Sequence, residues 1–320
     1  MLDGAGTILI AGGGIGGLTL SLALAKWGRR SHILEARPAF TDQGAGIQLG
    51  PNATRALREL GLDADLAQSA ITPELIQVRD GPTGRHLADL PLGHWIAERH
   101  GAPYWVLHRA DLQRALLAAA SRSPLIEISR EFRIDTIVDA DDAVTVTSDT
   151  GMVASGPILV GADGLWSRVR RHVEPGYAPA YASVTAARTL LPMSELTNAF
   201  REPRTGVWLA PEAHVVHYPV HAGAALAVVV VTADDEPGPG WGQPAEPADI
   251  QDAVAGFDPE VRALLATATA WQRWALYDPQ PLRHWSKGRV TLLGDAAHPI
   301  LPYLAQGGAM AIEDAVVLAW

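Results

Sequence analysis

Residues 7–17 read Thr-Ile-Leu-Ile-Ala-Gly-Gly-Gly-Ile-Gly-Gly, an apolar run that ends in a cluster of glycines. A short apolar run bounded by glycine is typical of a buried parallel strand. The Ala- and Leu-rich segment 18–27 then predicts a helix that ends at Gly28, and residues 31–35 predict a second strand. A strand, a glycine turn, a helix and a strand within about 30 residues form a βαβ unit. The sequence therefore predicts an α/β protein.

The glycine cluster matches the pattern G-x-G-x-x-G in the context that dinucleotide binding requires. Gly12 allows the tight turn, Gly14 lets a pyrophosphate approach the backbone, and Gly17 lets the helix pack on the strand. The helix N-terminus offers free N–H groups to phosphate. Glu35, at the end of the second strand, is placed to accept hydrogen bonds from ribose hydroxyls. The pattern indicates a Rossmann-type unit; by itself it does not separate FAD from NAD, and a glycine-rich turn of an unrelated α/β fold is the alternative.

Composition excludes several classes of function. The chain has 320 residues, enough for one large domain or two ordinary ones. Its formal net charge of −10, without a basic stripe, argues against nucleic acid as a partner. The absence of cysteine excludes a thiolate metal site and a cysteine nucleophile. The longest apolar stretch, 222–233, is too short to span a bilayer, and the N-terminus lacks the basic lead of a signal peptide. We therefore expect a cytoplasmic protein.

The middle of the chain alternates between helical pieces and β-rich inserts. Residues 110–120 and 258–267 predict helices, and residues 180–232 predict antiparallel strands. Segment 234–247 is rich in proline, glycine and acidic residues, which predicts an exposed loop.

Two further motifs follow predicted strands. Gly161–Gly164 (Gly-Ala-Asp-Gly) ends the strand 158–161, and Gly294–Pro299 (Gly-Asp-Ala-Ala-His-Pro) follows the strand 289–293. With the three motifs in this order, the sequence resembles the FAD-dependent aromatic hydroxylases, single-component flavoprotein monooxygenases typified by p-hydroxybenzoate hydroxylase and salicylate hydroxylase. The resemblance covers almost the whole chain. Further matches to the family lie at residues 44–47, 51–53, 109–112, Pro302 and 306–308.

The resemblance implies that FAD lies along these motifs. Asp295 would accept hydrogen bonds from the ribityl chain, and Gly307 and Gly308 would let the flavin ring lie against backbone N–H groups. Asp163 would lie near the pyrophosphate, although it could instead cap the following helix. Arg109 would contact FAD, with a surface ion pair as the alternative. The predicted cofactor-binding residues are Gly12, Gly14, Ile15, Gly16, Gly17, Glu35, Ala36, Arg37, Gly46, Arg109, Asp163, Asp295, Pro302, Gly307 and Gly308.

The catalytic candidates are His214, Tyr218 and Gln306. Strand alternation puts His214 and Tyr218 on one face and His217 on the other. The resemblance implies a polar group facing the substrate at this place. A histidine with a pKa of about 6.5 can take a phenolic proton near neutral pH, and Tyr218 could hydrogen-bond the same oxygen. A structural role in the sheet is the alternative for His214, and a helix cap is the alternative for Gln306.

Two other patterns carry weaker expectations. His214, His217 and His221 do not predict a metal site, because alternation separates them and Pro219 intervenes. Arg188, on a strand of the β-rich insert, could pair with a substrate carboxylate, but the sequence favours a surface position. We therefore predict no metal.

We expect a discontinuous FAD-binding lobe of residues 1–72, 103–178 and 283–320 and a β-rich substrate lobe of 73–102 and 179–282. The resemblance implies that NADH or NADPH reduces FAD, that the reduced flavin reacts with O2 to give a C4a-hydroperoxide, and that one oxygen passes to a small phenolic compound or aromatic acid. Three alternatives stay open: a flavin monooxygenase that epoxidises an alkene or modifies a polyketide, a dehydrogenase that uses only nicotinamide, and a truncated, non-catalytic flavoprotein.

The last predicted helix, 307–320, carries an apolar stripe of Ile312, Val316 and Trp320. Members of the resembled family continue beyond this helix. We therefore expect that a further C-terminal segment or a neighbouring subunit covers part of this surface, in a monomer or a homodimer.

Overall fold

Two large sheets organise the residues that the computed structural model describes, which are 6–40, 46–236, 242–278 and 280–320. The strands, numbered along the chain, are β1 Ile8–Ala11, β2 Ser31–Leu34, β3 Gly46–Leu49, β4 Leu75–Asp80, β5 His86–Pro91, β6 Trp105–His108, β7 Ile126–Ser129, β8 Ile134–Asp139, β9 Val144–Ser148, β10 Val153–Gly156, β11 Leu159–Gly161, β12 Ala180–Pro192, β13 Thr205–Leu209, β14 Ala213–Val220, β15 Ala225–Ala233, β16 Gln243–Ala245, β17 Trp271–Asp278, β18 Ser286–Lys287 and β19 Val290–Leu292. The helices are α1 Ile15–Lys26, α2 Pro51–Glu59, α3 Asp63–Ala67, α4 Gly93–His100, α5 Arg109–Arg122, α6 Arg168–Val173, α7 Pro247–Ala253, α8 Pro259–Ala266 and α9 Gly307–Ala319.

The first sheet has the order β18-β19-β11-β1-β2-β7. β1 runs parallel to β2 and β11, and β11 runs parallel to β19. The carboxyl ends of β1, β11 and β19 therefore meet at one edge, and each of the three sequence motifs begins there. Helix α1 packs against α5 and α9 through an apolar core that includes Leu18, Ile33 and Ile312. This arrangement confirms the predicted Rossmann-type α/β fold.

The second sheet has the order β16-β17-β12-β15-β14-β13-β4-β5. Its neighbouring strands are antiparallel except for β13 and β4, which are parallel. Helices α7 and α8 cover one face, where Val254, Val261 and Leu265 pack with Val215 and Val230 of the sheet. The opposite face is turned towards the motif-bearing edge of the first sheet.

The predicted lobe boundaries place each large sheet within one lobe, with β3, β6 and β8–β10 on the FAD-binding side. The boundaries themselves stay a prediction. One predicted loop is partly wrong: within 234–247, β16 pairs with the edge strand β17, and residues 237–241 lie outside the described part of the chain. Pro244 is tolerated in β16 because an edge strand needs only half of its backbone donors.

Helix α9 buries Ile312 completely, whereas Trp320 at its end is 91% exposed. Among the described residues, no helix combines the length and the apolar character that crossing a bilayer needs.

The turn after β1 brings backbone against backbone. Gly12 has a φ of +100°, and a Cβ there would lie 2.5 Å from the carbonyl oxygen of Ala162 in the neighbouring motif. A Cβ on Gly17 would lie 2.0 Å from the carbonyl oxygen of Gly12. Since the atoms in the way belong to the main chain, no side-chain rotation can relieve the clash. The glycines therefore set how closely α1 approaches β1.

We expect Gly17→Ala to lower the free energy of unfolding by about 1–3 kcal/mol or more, as other overpacked interiors do. Gly256→Ala is the matched control, because a Cβ there meets no atom within 4 Å. Urea unfolding followed by circular dichroism measures both. Equal stability of the two variants would contradict the close approach.

Candidate active site

A cavity of about 1150 Å³ lies between the motif-bearing edge of the first sheet and the uncovered face of the second. It is larger than most pockets for one small molecule, which range from about 300 to 1000 Å³. All predicted site residues except Gly17, which packs inside the fold, line it: Gly12, Gly14, Ile15, Gly16, Glu35, Ala36, Arg37, Gly46, Arg109, Asp163, His214, Tyr218, Asp295, Pro302, Gln306, Gly307 and Gly308. Gly44 and Ala45, which belong to a predicted match, lie outside the described residues.

Glu35 fixes the glycine turn. Its Oε2 accepts a hydrogen bond from the Gly13 N–H at 2.7 Å, and its Oε1 accepts one from the Arg37 N–H at 2.9 Å. The Arg37 Nε lies 3.3 Å from the same Oε1. Next to this carboxylate, a Cβ on Gly14 would meet no protein atom within 4 Å. The turn is therefore held by Glu35 and is open towards the cavity at Gly14, where a pyrophosphate would fit.

Asp163 caps the loop that begins α6. Its carboxylate accepts hydrogen bonds from the Ser167 hydroxyl and from the backbone N–H groups of Arg168 and Val169. Burial raises the pKa of Asp163, and these hydrogen bonds oppose that shift. The capping alternative is therefore realised, while the residue also lines the cavity.

Asp295 presents an open acceptor to the cavity. Within the described ranges, its carboxylate has no hydrogen-bond partner. Burial raises the pKa of Asp295, and the nearby guanidinium of Arg109 lowers it. Arg109 lines the cavity, where its side chain is accessible, and it forms no salt bridge within the described ranges. An unsatisfied carboxylate beside the cavity is suited to bind ligand hydroxyl groups.

The N-terminus of α9 points at the same place. Gly307 and Gly308 line the cavity. The first hydrogen bond of the helix runs from the Met310 N–H to the carbonyl oxygen of Gln306. A helix N-terminus of this kind stabilises negative charge. Together with Gly14 and Asp295, it forms a cradle whose donors and acceptors fit the phosphate, ribityl and flavin parts of FAD.

Arg170 ties the second and third motifs together. Its side chain is only 2% exposed and donates to the carbonyl oxygens of Leu165, Asp295 and Ala296. The guanidinium also lies 4.5 Å from the ring centroid of Tyr177. The sequence gave no sign of this clamp, because the carbonyl partners at Asp295 and Ala296 are 125 and 126 residues away.

Gln306 is oriented by a residue that the sequence analysis did not single out. Asn52 Nδ2 donates to Gln306 Oε1 at 3.2 Å and to Glu313 Oε2 at 2.8 Å. With its oxygen engaged in this way, the Gln306 side chain is left with N–H groups to donate towards a ligand. Asn52 lies in the matched stretch 51–53, which was the only available signal.

The predicted alternation of β14 is confirmed. His214, Val216 and Tyr218 line the cavity, whereas His217 lies on the other face, where its Nε2 is 3.3 Å from the Trp208 Nε1. Burial lowers the pKa of His217 to about 3, so this imidazole stays neutral.

His214 and Tyr218 are available for ligands. Among the described residues neither side chain has a hydrogen-bond partner; His214 only packs with its ring centroid 5.5 Å from that of Tyr303. Burial lowers the pKa of His214 and raises the pKa of Tyr218 to about 12. The imidazole is therefore neutral and can accept a proton near neutral pH, while the phenol keeps its proton and can donate a hydrogen bond.

His221 does not join the other two histidines. It stacks on His108 with 4.5 Å between ring centroids, and its Nδ1 lies 3.3 Å from Asp111 Oδ2. The side-chain atoms of His108, Asp111 and His221 that could bind a metal ion lie within 4.8 Å of one another. The three histidines of the β14 region are thus separated, as the sequence predicted.

The surface position expected for Arg188 is wrong. Arg188 lines the cavity, and its Nε is fully inaccessible without a hydrogen-bond acceptor in the described residues. Its guanidinium lies 4.9 Å from the ring centroid of Trp274. The sequence gave the wrong position because helices cover only one face of the second sheet. The face that carries Arg188 is enclosed only by the approach of the first sheet.

His298, in the third motif, is held by α9. Its Nε2 lies 2.5 Å from Asp314 Oδ2, which also accepts the Gly294 N–H at 2.9 Å. The hydrogen bond to Asp314 raises the pKa of His298, against the opposing effect of burial. This contact fixes the motif to the helix that follows it.

Comparisons with known proteins agree with this geometry. A family model for an FAD binding domain matches residues 6–320. The chain is 38% identical to 3-hydroxybenzoate 6-hydroxylase 1 of Aquipseudomonas alcaligenes, over 98% of this chain and 79% of that protein. It is 37% identical to a 3-amino-4-hydroxybenzoate 2-monooxygenase of Streptomyces platensis, over 98% and 78%. The crystal structure of Klebsiella pneumoniae HpxO complexed with FAD and uric acid is similar, with a TM-score of 0.85, 28% identity, and coverage of 98% and 79%.

We expect the His298–Asp314 contact to stabilise the fold more at low pH than at high pH. A group whose pKa rises on folding contributes stability that is complete below its unfolded pKa, about 6.5 for histidine, and that is lost as the pH rises through the folded pKa. The melting temperature of His298→Gln should therefore fall furthest below wild type near pH 5.5, and the gap should narrow above pH 8.

The control is His94→Gln, which removes an exposed histidine that lies 3.6 Å from Glu98. Such an exposed pair contributes little, so its melting temperature should follow wild type at each pH. A deficit of His298→Gln that does not change with pH would refute the assigned contact.

Proposed function

The chain belongs to the family of FAD-dependent aromatic hydroxylases, which are monooxygenases, and from that premise we propose that it inserts one oxygen atom of O2 into a small phenolic compound or aromatic acid at the expense of NADH or NADPH. The observation that carries the proposal is that the three glycine motifs face His214 and Tyr218 across one cavity. When bound, FAD supplies the oxidation of the nicotinamide and the activation of O2. A monomer or a homodimer stays a prediction.

The motif-bearing edge would hold the cofactor. Gly14 and the N-terminus of α1 would face the pyrophosphate, and Glu35 would lie at the adenosine end with Arg37. Asp295 would accept the ribityl hydroxyl groups through its open carboxylate. The N-terminus of α9 would stabilise negative charge on the reduced ring system. Each contact uses a donor or acceptor that faces the cavity.

The face of the second sheet would hold the substrate. Val207, Val216 and Val229 form an apolar floor, which excludes water from the reacting ring. His214, neutral because burial lowers its pKa, would accept the phenolic proton at an imidazole nitrogen. Tyr218, still protonated, would donate a hydrogen bond to the same oxygen. Removal of that proton pushes electron density into the ring and so favours attack on an electrophilic oxygen.

The test is a panel of aromatic compounds with the FAD-loaded protein. It includes 3-hydroxybenzoate and 3-amino-4-hydroxybenzoate, which appear in the names of relatives, together with neutral phenols and an alkene. Stimulated consumption of NADH or NADPH that is matched by hydroxylated product supports the proposal. Epoxide formation from the alkene alone, or the absence of any oxygenated product, would contradict it.

We expect Asp295→Ala to weaken FAD binding about 10- to 100-fold, because hydrogen bonds to a charged acceptor contribute about 1.5–3 kcal/mol. The dissociation constant is measured by titrating apoprotein with FAD and following flavin fluorescence. Asp252→Ala, on helix α7 away from the cavity, is the control and should bind FAD as wild type does. Unchanged affinity in a folded Asp295→Ala protein would exclude the assigned role.

We expect His214→Ala to retain FAD and its reduction by NADH or NADPH but to lose hydroxylation by about 10²–10⁴-fold, the usual effect of removing a general base. Stopped-flow absorbance measures flavin reduction, and chromatography measures the product. The control is His86→Ala, which changes an exposed histidine on β5. Near-normal product formation by His214→Ala would leave His214 with a structural role only.

A further inference from the structure

Arg188 is the only permanently charged side chain that the described part of the second sheet presents to the cavity. It lies opposite Val229 in the strand pairing, and Val229 lies opposite Val216. Directly paired residues point to the same face of a sheet. Arg188 therefore projects from a row that is otherwise aliphatic, in a place where a cation has little solvent around it.

The protein itself does not neutralise this cation. Among the described residues, Arg188 forms no salt bridge, and its Nε has no acceptor. Within the described part of the chain, its one cation–π contact is with the ring of Trp274, with 4.9 Å between the guanidinium carbon and the ring centroid. A cation–π contact offsets only part of the cost of desolvating a guanidinium. A half-buried cation without a counter-charge is suited to bind an anion that arrives with a ligand.

Arg109, another of the six arginines that line the cavity, differs in this respect. Arg109 faces the carboxylate of Asp295, which favours its charged form. Burial lowers the pKa of Arg188, the phenol of Tyr218 acts in the opposite direction, and the guanidinium of Arg109 lowers this pKa as well. Since that phenol is protonated near neutral pH, it contributes no negative charge. Among the described residues, no anionic group therefore balances the positive charge of Arg188.

The position of Arg188 suits one end of a substituted ring. It sits on β12, two strands from β14 in the sheet order, and its row crosses β14 at Val216, midway between His214 and Tyr218. Two strand spacings amount to about 10 Å. A ring that lies on the valines between them would have one substituent at the guanidinium and another at the His214–Tyr218 pair.

We infer that Arg188 binds a carboxylate on the substrate ring and thereby selects hydroxylated aromatic acids over neutral phenols. The inference rests on the proposed function and adds to it the residue that determines specificity. A planar guanidinium matches the two oxygens of a carboxylate, and the pair is strongest in a water-poor site.

The test compares 3-hydroxybenzoate with its neutral carboxamide, 3-hydroxybenzamide, on FAD-loaded wild type and Arg188→Met. Binding is followed without turnover through the change in flavin absorbance. Loss of one partner of a buried charge pair corresponds to about 30-fold or more in affinity. The dissociation constant of the acid should rise by about that factor in Arg188→Met, while that of the amide stays nearly unchanged. Arg188→Lys should bind the acid with intermediate affinity.

The matched control is Arg273→Met on the neighbouring strand β17. Arg273 lies opposite Ala187, so its side chain is on the other face, and it already pairs with Asp234 at 3.0 Å. This variant should discriminate between acid and amide as wild type does.

Equal weakening of acid and amide in Arg188→Met, or wild type that binds both equally, would overturn the role of Arg188. Because binding is scored without turnover, this outcome is separate from failure of the proposed function. The latter would appear as the absence of oxygenated product from every compound of the panel. Hydroxylation of neutral phenols with no preference for acids would leave the function standing and remove the inference.

Thermal unfolding without substrate separates binding from a structural role. If the guanidinium lacks a partner in the ligand-free protein, replacing it with methionine should leave the melting temperature unchanged or raise it. A melting temperature clearly below wild type would show that Arg188 stabilises the fold, and the inference would fail.

Discussion

The buried guanidinium of Arg170 holds together two loops that line the cavity, one after β11 and one after β19. It donates to the carbonyl oxygen of Leu165 in one loop and to those of Asp295 and Ala296 in the other. Burying a cation is costly unless its donors are satisfied; three carbonyl oxygens accept from the terminal Nη groups of Arg170, whereas its Nε has no acceptor among the described residues. Because Asp295 contributes its carbonyl to Arg170, its carboxylate remains directed to the cavity.

The turn between β1 and α1 also depends on contacts to the backbone. Glu35 holds the Gly13 N–H, and Gly17 lets α1 approach Gly12 without an intervening side chain. These contacts leave the N-termini of α1 and α9 at one edge of a parallel sheet. That edge is where α/β proteins bind nucleotides. Polar groups along it are thus divided between those that build the loops and those that remain open to a ligand.

The charges of the cavity are arranged unevenly. Arg109 interacts with Asp295 on the cofactor side, whereas Arg188 lies among valines on the substrate side with no counter-ion in the part of the chain that the structure describes. Between them, burial keeps His214 neutral and Tyr218 protonated. The site therefore offers a proton acceptor, a hydrogen-bond donor and an anion site on one sheet face. This set is what a hydroxylated aromatic acid requires.

The sequence by itself determined the α/β class, the three glycine motifs and the two faces of β14, because strand periodicity and glycine turns are local properties. The resemblance of its motifs to a known family pointed to Asp295 as a cofactor ligand and to His214 and Tyr218 as catalytic candidates. Only the tertiary structure decided the position of Arg188, the clamp by Arg170 and the orientation of Gln306 by Asn52. Each of these depends on segments more than 80 residues apart in the chain. No local pattern encodes whether an arginine on a half-covered strand meets solvent or another lobe, since that is settled by which surfaces the chain folds against each other.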